Sequence, residues 1–319
     1  MRPRSILVTI LIVVAIIVGV VWLDNNAKGA TLPRTTPACG VLAKAPVIRH
    51  VVVVMEENHS YSSTAGSMPY LDSVAKGCGL ATNYHSTTHN SLPNYLAMTA
   101  GIPLAQLQPF TGDCTPSSCT TSARSIFAQT VAKSYEETMP SNCDWSGSGI
   151  YVPKHNPQVY FTSGNASCGT RDVPFGPLTK WSNLTWDFRG EASAPSFAFV
   201  TPNLCNDGHD CGLSTSDAWL RTVLPLIEAT PVYQTGDTAI FVVWDEGEPA
   251  SAGENCAANP GDQSCHVELV VIAPSVKPGT KIATSLNHYS VLRAAEQLLG
   301  LPYLGQAASA PSLVTGFNL

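Results

Sequence analysis

The sequence predicts an α/β fold in which a mostly parallel central sheet carries helices on both faces. Three short apolar runs are typical of strands buried on both sides; they are Val51–Met55, Ser196–Thr201 and Thr238–Trp244. Segments with helical periodicity alternate with these runs, which favours parallel strands joined by crossover helices. Polar side chains follow each run at once, where an α/β sheet normally binds its ligand.

Local signals predict the remaining elements. Glycines end three of the predicted helices, and Pro93 lies where the first turn of a helix tolerates proline. In chain order, the further predicted helices are Met68–Lys76, Asn94–Ala100, Ser122–Lys133, Ser214–Ala229 and His288–Leu299, and the further strands are Leu80–Tyr84 and Val267–Ala273. The stretch from Glu136 to Gly190 shows little periodicity, and we interpret it as an ordered insertion that shapes the substrate pocket.

Composition limits the class of protein. The chain has 319 residues, of which 44% are hydrophobic and 13% charged, as in a folded protein. The net charge of -6 comes without a cluster of Lys and Arg, which argues against nucleic acid as a partner.

The N-terminus predicts export. Ser5–Leu23 contains 19 uncharged, mostly apolar residues behind a basic start, which is about the length of a bilayer span. We interpret residues 1–23 as a membrane anchor with the body of the protein outside, or as a cleaved signal segment. We interpret residues 24–46 as a Pro/Thr/Ala-rich tether and residues 47–319 as one folded domain.

The ten cysteines all follow this segment, and an even number in an exported domain indicates disulfides. Short spacings predict the pairs Cys114–Cys119, Cys205–Cys211 and Cys256–Cys265, and leave the pairing of the other four open. Zinc is the alternative, but no pair has CxxC spacing.

Acidic, amide and imidazole side chains follow the predicted strands at several points. Any one of these clusters could be a polar loop or a helix cap. Together they can converge, because the carboxyl ends of parallel strands share an edge, and converging carboxylates repel one another unless a cation lies between them. The sequence therefore predicts a divalent-metal site with ligands from Glu57, Asp207, His209, Asp245 and Glu246.

Ser91 is the candidate nucleophile, because it lies at the amino end of a predicted helix, where the N–H groups and the dipole favour an anion. Thr87 and Thr88 are nearby rivals, and Ser91 could instead only cap the helix. His89, His209 and His288 are candidate general acids or phosphate-binding groups.

Long motifs resemble the phosphoesterase family that joins bacterial phospholipases C with secreted acid phosphatases. They occur in the family's order and read VVVVMEENHSY, HNSLPNYLAM, TPNLCNDGHD, VVWDEGE and HYSVLRAAEQLLGL. The resemblance extends from about His50 to Pro302 and is closest to the mycobacterial secreted phosphatases. It implies an alkaline-phosphatase-like α/β fold.

The resemblance also implies roles for individual residues. Glu57, Asn58, Asp245 and Glu246 match metal ligands, Ser91 matches the nucleophile, and His209 and His288 would contact phosphate or protonate the leaving group. Some acid phosphatases of the family have two Asp residues at positions 245 and 246, so the identity of the metal stays open. The segment YVPKHNP resembles the mycobacterial branch. The candidate substrate-binding residues are His89, Asn94, Lys154 and His155.

The sequence thus predicts a metal-dependent phosphomonoesterase with phosphoinositides among its candidate substrates. A membrane tether also suits a phospholipase C that cleaves phospholipid diesters, which remains the first alternative. The second alternative is a cell-surface binding module that has lost catalysis.

Overall fold

The computed structural model of the protein describes residues 39–249 and 251–319. The predicted anchor or signal segment and the first part of the predicted tether lie outside the described residues. Within the part of the chain that is described, no helix combines the length and hydrophobicity needed to cross a bilayer.

Strands and helices alternate along most of the described chain. The strands are β1 His50–Glu56, β2 Gly79–His85, β3 Ala132–Glu136, β4 Asp172–Pro174, β5 Phe197–Thr201, β6 Thr238–Trp244, β7 His266–Ile272, β8 Thr280–Ile282 and β9 Leu286–Asn287. The α-helices are α1 Tyr61–Thr64, α2 Pro69–Gly77, α3 Ser91–Ala100, α4 Leu104–Leu107, α5 Asn165–Arg171, α6 Asn183–Asp187, α7 Leu213–Glu228, α8 Pro231–Gln234, α9 His288–Leu298 and α10 Val314–Phe317. Short 3-10 helices occupy Gln108–Phe110, Ile126–Ala128, Pro153–His155, Pro157–Tyr160, Thr162–Gly164 and Gly305–Ala308.

The described strands form one sheet in the order β4-β3-β5-β1-β6-β7-β2-β8, and β9 also pairs with β2. All pairs are parallel except those that β7 makes with β6 and β2. The prediction of a mostly parallel sheet is therefore confirmed. The carboxyl ends of β1, β2, β3, β5 and β6 consequently lie at one edge of the sheet.

The centre of the sheet is β1, which pairs with β5 on one side and β6 on the other. Every residue of β1 and β6 is buried, so both faces of the sheet are covered there. Helices pack against one another in pairs, α3 with α9 and α2 with α7. Burial on both faces explains the continuous apolar runs in these strands.

One predicted helix is wrong. The segment 122–133 forms a 3-10 turn at Ile126–Ala128 and then enters β3, which pairs with β5. The side chains of Ile126 and Phe127 fill the core without continuing a helix. The region between Glu136 and Gly190, interpreted as an insertion, also supplies the edge strand β4 to the sheet. Pairing with a neighbouring strand thus overrode local helical periodicity.

All ten cysteines are described, and they form five disulfides. The three predicted pairs, Cys114–Cys119, Cys205–Cys211 and Cys256–Cys265, are confirmed. The remaining four cysteines pair as Cys39–Cys78 and Cys143–Cys168. Such a set of disulfides is typical of an exported domain.

Candidate active site

Ser91 is the first residue of α3, and its side chain is buried at the carboxyl edge of the sheet. Its Oγ donates to Glu57 Oε2 at 3.1 Å and lies 3.2 Å from Glu246 Oε1. Asn90, with extended backbone, holds the N-cap position. The hydroxyl of Ser91 therefore faces two carboxylates instead of capping the helix.

The direction of α3 is fixed at its other end by Gly101. This residue has a left-handed backbone with φ +64°, and a Cβ there would lie 2.3 Å from the carbonyl oxygen of Leu304. Only glycine fits such a close approach at a helix end. Pro93 is the third helical residue, still within the first turn that tolerates proline.

Three loops that follow neighbouring strands bring carboxylates together. The backbone N–H of Asn58, which has a left-handed φ of 55°, lies 3.3 Å from Asp245 Oδ1. The N–H of Glu57 donates to the carbonyl of Asp207 at 2.9 Å. Glu57, Asp207, Asp245 and Glu246 are all buried. Parallel pairing of β1 with β5 and β6 thus produces the convergence that the sequence predicts.

Burial raises the pKa of each of these carboxyl groups. It raises the pKa of Asp207 and of Glu246 to about 8. For Glu57, burial acts first and repulsion from Asp245 and Asp207 adds to it, so its pKa lies well above the usual range. The pKa of Asp245 is raised by burial and by Glu246. Four carboxylates in this volume are strongly disfavoured unless a cation compensates them.

His155 and Lys154 enter this cluster from the 3-10 turn Pro153–His155. The Nε2 of His155 is 3.1 Å from Glu57 Oε1, and its Nδ1 is 3.4 Å from Asp207 Oδ2. The ring stacks on Tyr95 with centroids 5.4 Å apart. Burial lowers the pKa of His155 well below its usual range, so the ring is neutral and offers a lone pair.

Lys154 lies beside His209, with 3.3 Å between Nζ and Nε2. Burial lowers the pKa of Lys154, but attraction to Glu57 and Asp113 outweighs burial, so the net shift is upward and the group is a cation. The other ring nitrogen of His209, Nδ1, is 2.7 Å from Asp210 Oδ1, and its backbone N–H donates to Asp207.

The cluster has the donor chemistry of a metal site. Several buried atoms of the cluster make no hydrogen bond, although the His155 nitrogens lie close to carboxylate oxygens. Among the described residues these atoms are Asn58 Oδ1, Asp207 Oδ2, Asp245 Oδ2 and both ring nitrogens of His155. Glu57, His155 and His209 also offer ligand atoms within 4.8 Å of one another. A cation would satisfy these atoms and relieve the repulsion between the carboxylates. The described residues can therefore hold a metal ion here.

His89 lies behind Glu246. Its Nδ1 contacts Glu246 Oε2, and its Nε2 is 3.2 Å from the hydroxyl of Ser264. The sulfurs of the Cys256–Cys265 disulfide approach the same Nε2 at 3.8 and 3.6 Å. The ring is fully buried, so its contacts orient Glu246.

The side chains of Asn94 and His288 make hydrogen bonds to other groups of the protein. Asn94 Oδ1 accepts from the N–H groups of Thr87 and Thr88, and its Nδ2 donates to the Thr88 carbonyl. His288 lies between the Tyr84 hydroxyl, 2.7 Å from Nδ1, and the Asp245 carbonyl, 2.6 Å from Nε2. These contacts hold the segment before Ser91 and the backbone of Asp245. The rival hydroxyl of Thr88 donates to the carbonyl of His89.

Two residues of the site, Tyr95 and Asp113, are not predicted from the sequence. Tyr95 donates its hydroxyl to Glu57 Oε1 at 2.6 Å. Tyr95 lies four residues after Ser91, so the two residues share one face of the helix. This spacing could have indicated that Tyr95 belongs to the site. Asp113 accepts from the N–H of Leu92 and from Lys154. Nothing in its local sequence relates it to α3.

The chain is similar in sequence to known phosphoesterases. The model of the Phosphoesterase family matches residues 64–302. The chain is 30% identical over 284 residues to a phosphatidylinositol-3-phosphatase of Mycobacterium tuberculosis, covering 87% of this chain and 86% of that one. It is 28% identical over 294 residues to an acid phosphatase of Aspergillus niger, covering 89% of this chain and 66% of that enzyme.

The fold has counterparts among solved structures. A protein of the alkaline phosphatase superfamily from Vibrio parahaemolyticus superposes with a TM-score of 0.55 at 14% identity, covering 91% of this chain and 76% of that one. At this identity the likeness concerns the fold alone, and it confirms the predicted alkaline-phosphatase-like architecture. On the family match and the similarity to named phosphatases, the chain belongs to the Phosphoesterase family and is a phosphoric ester hydrolase.

Proposed function

We propose that the protein is an exported, metal-dependent phosphomonoesterase that uses Ser91 as its nucleophile. The supporting observation is the position of the Ser91 hydroxyl, which faces Glu57 and Glu246 at the amino end of α3. A serine in this place has both a proton acceptor and a helix end that favours an anionic phosphate group.

In this proposal Ser91 Oγ attacks phosphorus as its proton passes to Glu57 or Glu246. A bond from Ser91 Oγ to phosphorus forms, and the bond from phosphorus to the leaving alcohol breaks. His209 gives the alcohol its proton in this proposal, because its side chain is 24% exposed and can reach a leaving group that enters from solvent. Water then attacks the phosphoserine and gives a proton back to His209. The bond from phosphorus to Ser91 Oγ breaks, the carboxyl group that took the serine proton returns it to Oγ, and inorganic phosphate leaves.

The metal ligands in this proposal are Glu57, Asn58, Asp207, Asp245 and Glu246. His155 adds a neutral nitrogen beside Glu57 and Asp207. A divalent cation bound here would stabilise negative charge on the serine and phosphoryl oxygens. The unpartnered buried oxygens of Asn58, Asp207 and Asp245 support this set.

The remaining candidate residues divide into two roles. Lys154 is a cation next to the nucleophile helix, which suits it to bind phosphate oxygens. We assign positioning roles to His89, Asn94 and His288, because their side chains are buried and contact protein groups. Burial also lowers the pKa of His288 to about 4, so a neutral ring suits this role better than proton donation.

The similarity to a phosphatidylinositol-3-phosphatase and an acid phosphatase favours phosphate monoesters, with phosphoinositides as a candidate class. Export is supported by the five disulfides and by the apolar stretch Ser5–Leu23. We retain residues 1–23 as a membrane anchor or signal segment. Whether or not this segment is cleaved, the partner of the catalytic domain, residues 47–319, is a phosphate ester.

The test is phosphate release from p-nitrophenyl phosphate and from phosphatidylinositol 3-phosphate by the full chain. Replacing the nucleophile should reduce kcat by at least about 10³-fold, so Ser91→Ala is the decisive variant. Thr88→Ala is the control for the neighbouring hydroxyl and should retain activity. Equal activity in Ser91→Ala and the wild type would refute Ser91 as nucleophile. Release of diacylglycerol from phosphatidylcholine, without release of phosphate from monoesters, would refute the monoesterase.

A further inference from the structure

The Asp113 carboxylate joins the nucleophile helix to Lys154. The backbone N–H of Leu92, the residue after Ser91, donates to Asp113 Oδ1 at 3.0 Å. The ammonium of Lys154 donates to Asp113 Oδ2 at 3.2 Å. One carboxylate thus contacts both groups of the site that attract anions, namely the helix end and the lysine.

Local contacts hold the loop that carries Asp113 in one conformation. Asp113 has a left-handed backbone with φ 49°, and its N–H donates to the carbonyl of Phe110 at 3.0 Å. The next residue is Cys114, which is bonded to Cys119. The hydroxyl of Tyr160 donates to the carbonyl of Cys114 at 2.8 Å. The Asp113 side chain is 16% exposed.

Lys154 needs such a partner because its long side chain has many rotamers and lies in the field of several acids. Attraction to Glu57 and Asp245 draws the ammonium towards the carboxylates that we assign to the metal. Asp113 and His209 are the groups in direct contact with Nζ among the described residues. Of these two groups, Asp113 supplies the negative charge that attracts the ammonium, and it also accepts a hydrogen bond from Leu92 in α3.

We propose that Asp113 is a positioning residue that holds the Lys154 ammonium near the amino end of α3, where it binds the phosphate group of the substrate. This inference rests on the proposed function, because it assumes that the anion attacked by Ser91 is the one that Lys154 binds. Lys154 would contact phosphate oxygens in the ground state and in the transition state alike. Loss of its positioning should therefore raise KM more than it lowers kcat.

The experiment compares four variants of the full chain: Asp113→Asn, Lys154→Met, the double variant and Asp144→Asn. Asp144 is a matched control, because its carboxylate accepts loop N–H groups from Ser146 and Gly147, and no lysine of the described residues is in direct contact with it. We expect Asp113→Asn to raise KM for p-nitrophenyl phosphate about tenfold, with kcat changed less than about twofold. Asp144→Asn should match the wild type.

The double variant tests whether Asp113 acts through Lys154. If it does, Asp113→Asn adds nothing once Lys154→Met is present, so the two effects are not additive. Asp113→Glu keeps the charge and should recover part of the affinity. If Asp113→Asn does not fold, Asp113→Ser replaces it, since serine keeps an acceptor for the N–H of Leu92.

A binding measurement separates this inference from the proposed function. In the Ser91→Ala background, the Kd of inorganic phosphate should rise about tenfold on Asp113→Asn and stay unchanged on Asp144→Asn. A wild type without activity on monoesters would refute the proposed function, but this Kd would still test the link between Asp113 and Lys154. Unchanged or tighter phosphate binding in Asp113→Asn, or additive effects with Lys154→Met, would overturn the inference.

Discussion

Buried carboxylates occur in two settings in this protein. At the carboxyl edge of the sheet, Glu57 lies among other acids that raise its pKa further than burial alone does. At the end of α7, Glu228 is buried and burial is the cause of its raised pKa. Both carboxyl groups are disfavoured as anions, but only Glu57 has neighbours that a shared cation could compensate. The arrangement of acids, and not burial, distinguishes the carboxylate that we assign to the metal site from Glu228.

The largest expected effect concerns the cation itself. Removal of divalent metal with a chelator should reduce phosphatase activity at least about 100-fold, because the carboxylates then repel one another and the phosphate group. Readdition of metal should restore activity and raise the Tm of the wild type.

Glu57→Gln should lose both the activity and the rise in Tm with metal, whereas Glu228→Gln should keep both. Full activity in metal-free protein, with the metal content measured by elemental analysis, would contradict the assignment of a metal site.

A smaller effect is expected where a neighbour orients a carboxylate. Tyr95→Phe removes the hydrogen bond to Glu57 Oε1 and should cost about 10- to 100-fold in metal affinity or kcat, as loss of such supporting contacts usually does. Tyr135→Phe is the control, since that buried hydroxyl donates to Asp187 Oδ2, which is not part of the site. Equal metal affinity in both variants would show that Glu57 needs no such support.

The smallest effect on activity is expected at Glu228, where the carboxyl group contributes to stability. Burial raises its pKa from 4.5 to about 7, so the folded state binds a proton more tightly than the unfolded state between these values. The free energy of unfolding should therefore fall as pH rises from about 4.5 to 7, by roughly 3 kcal/mol at most, and this contribution should be constant above pH 7.

Glu228→Gln should flatten this part of the pH profile and leave kcat unchanged. Urea unfolding at pH 5 and pH 8 measures the difference. A Gln variant that loses stability with pH as steeply as the wild type would contradict the role of this carboxyl.

Much of the site could be predicted because strand ends are visible in sequence. The apolar runs Val51–Met55 and Thr238–Trp244 are confirmed as strands. The structure places these two strands side by side, so the acids after them meet at one edge. The helix that begins at Ser91 is likewise close to the predicted one. Strands buried on both faces have a continuous apolar sequence, which can be recognised without knowing which strands lie beside them.

Residues whose surroundings come from distant loops could not be predicted in this way. Segment 122–133 has helical periodicity, but pairing with β5 makes its end a strand. Asp113 and Ser264 carry no local signal, because their partners are distant in the chain. His288 has the sequence context of a site residue, yet its ring contacts Tyr84 and the Asp245 backbone.

The sequence by itself determined the α/β class, the central strands, three disulfides and the polar clusters that follow the strands. These features depend on periodicity and short spacings, which a chain carries locally. The tertiary structure alone decided which atoms of those clusters are satisfied by protein and which are left without a partner. Hydrogen bonding is directional and short in range, so it is settled only when the loops are placed within about 3 Å of one another.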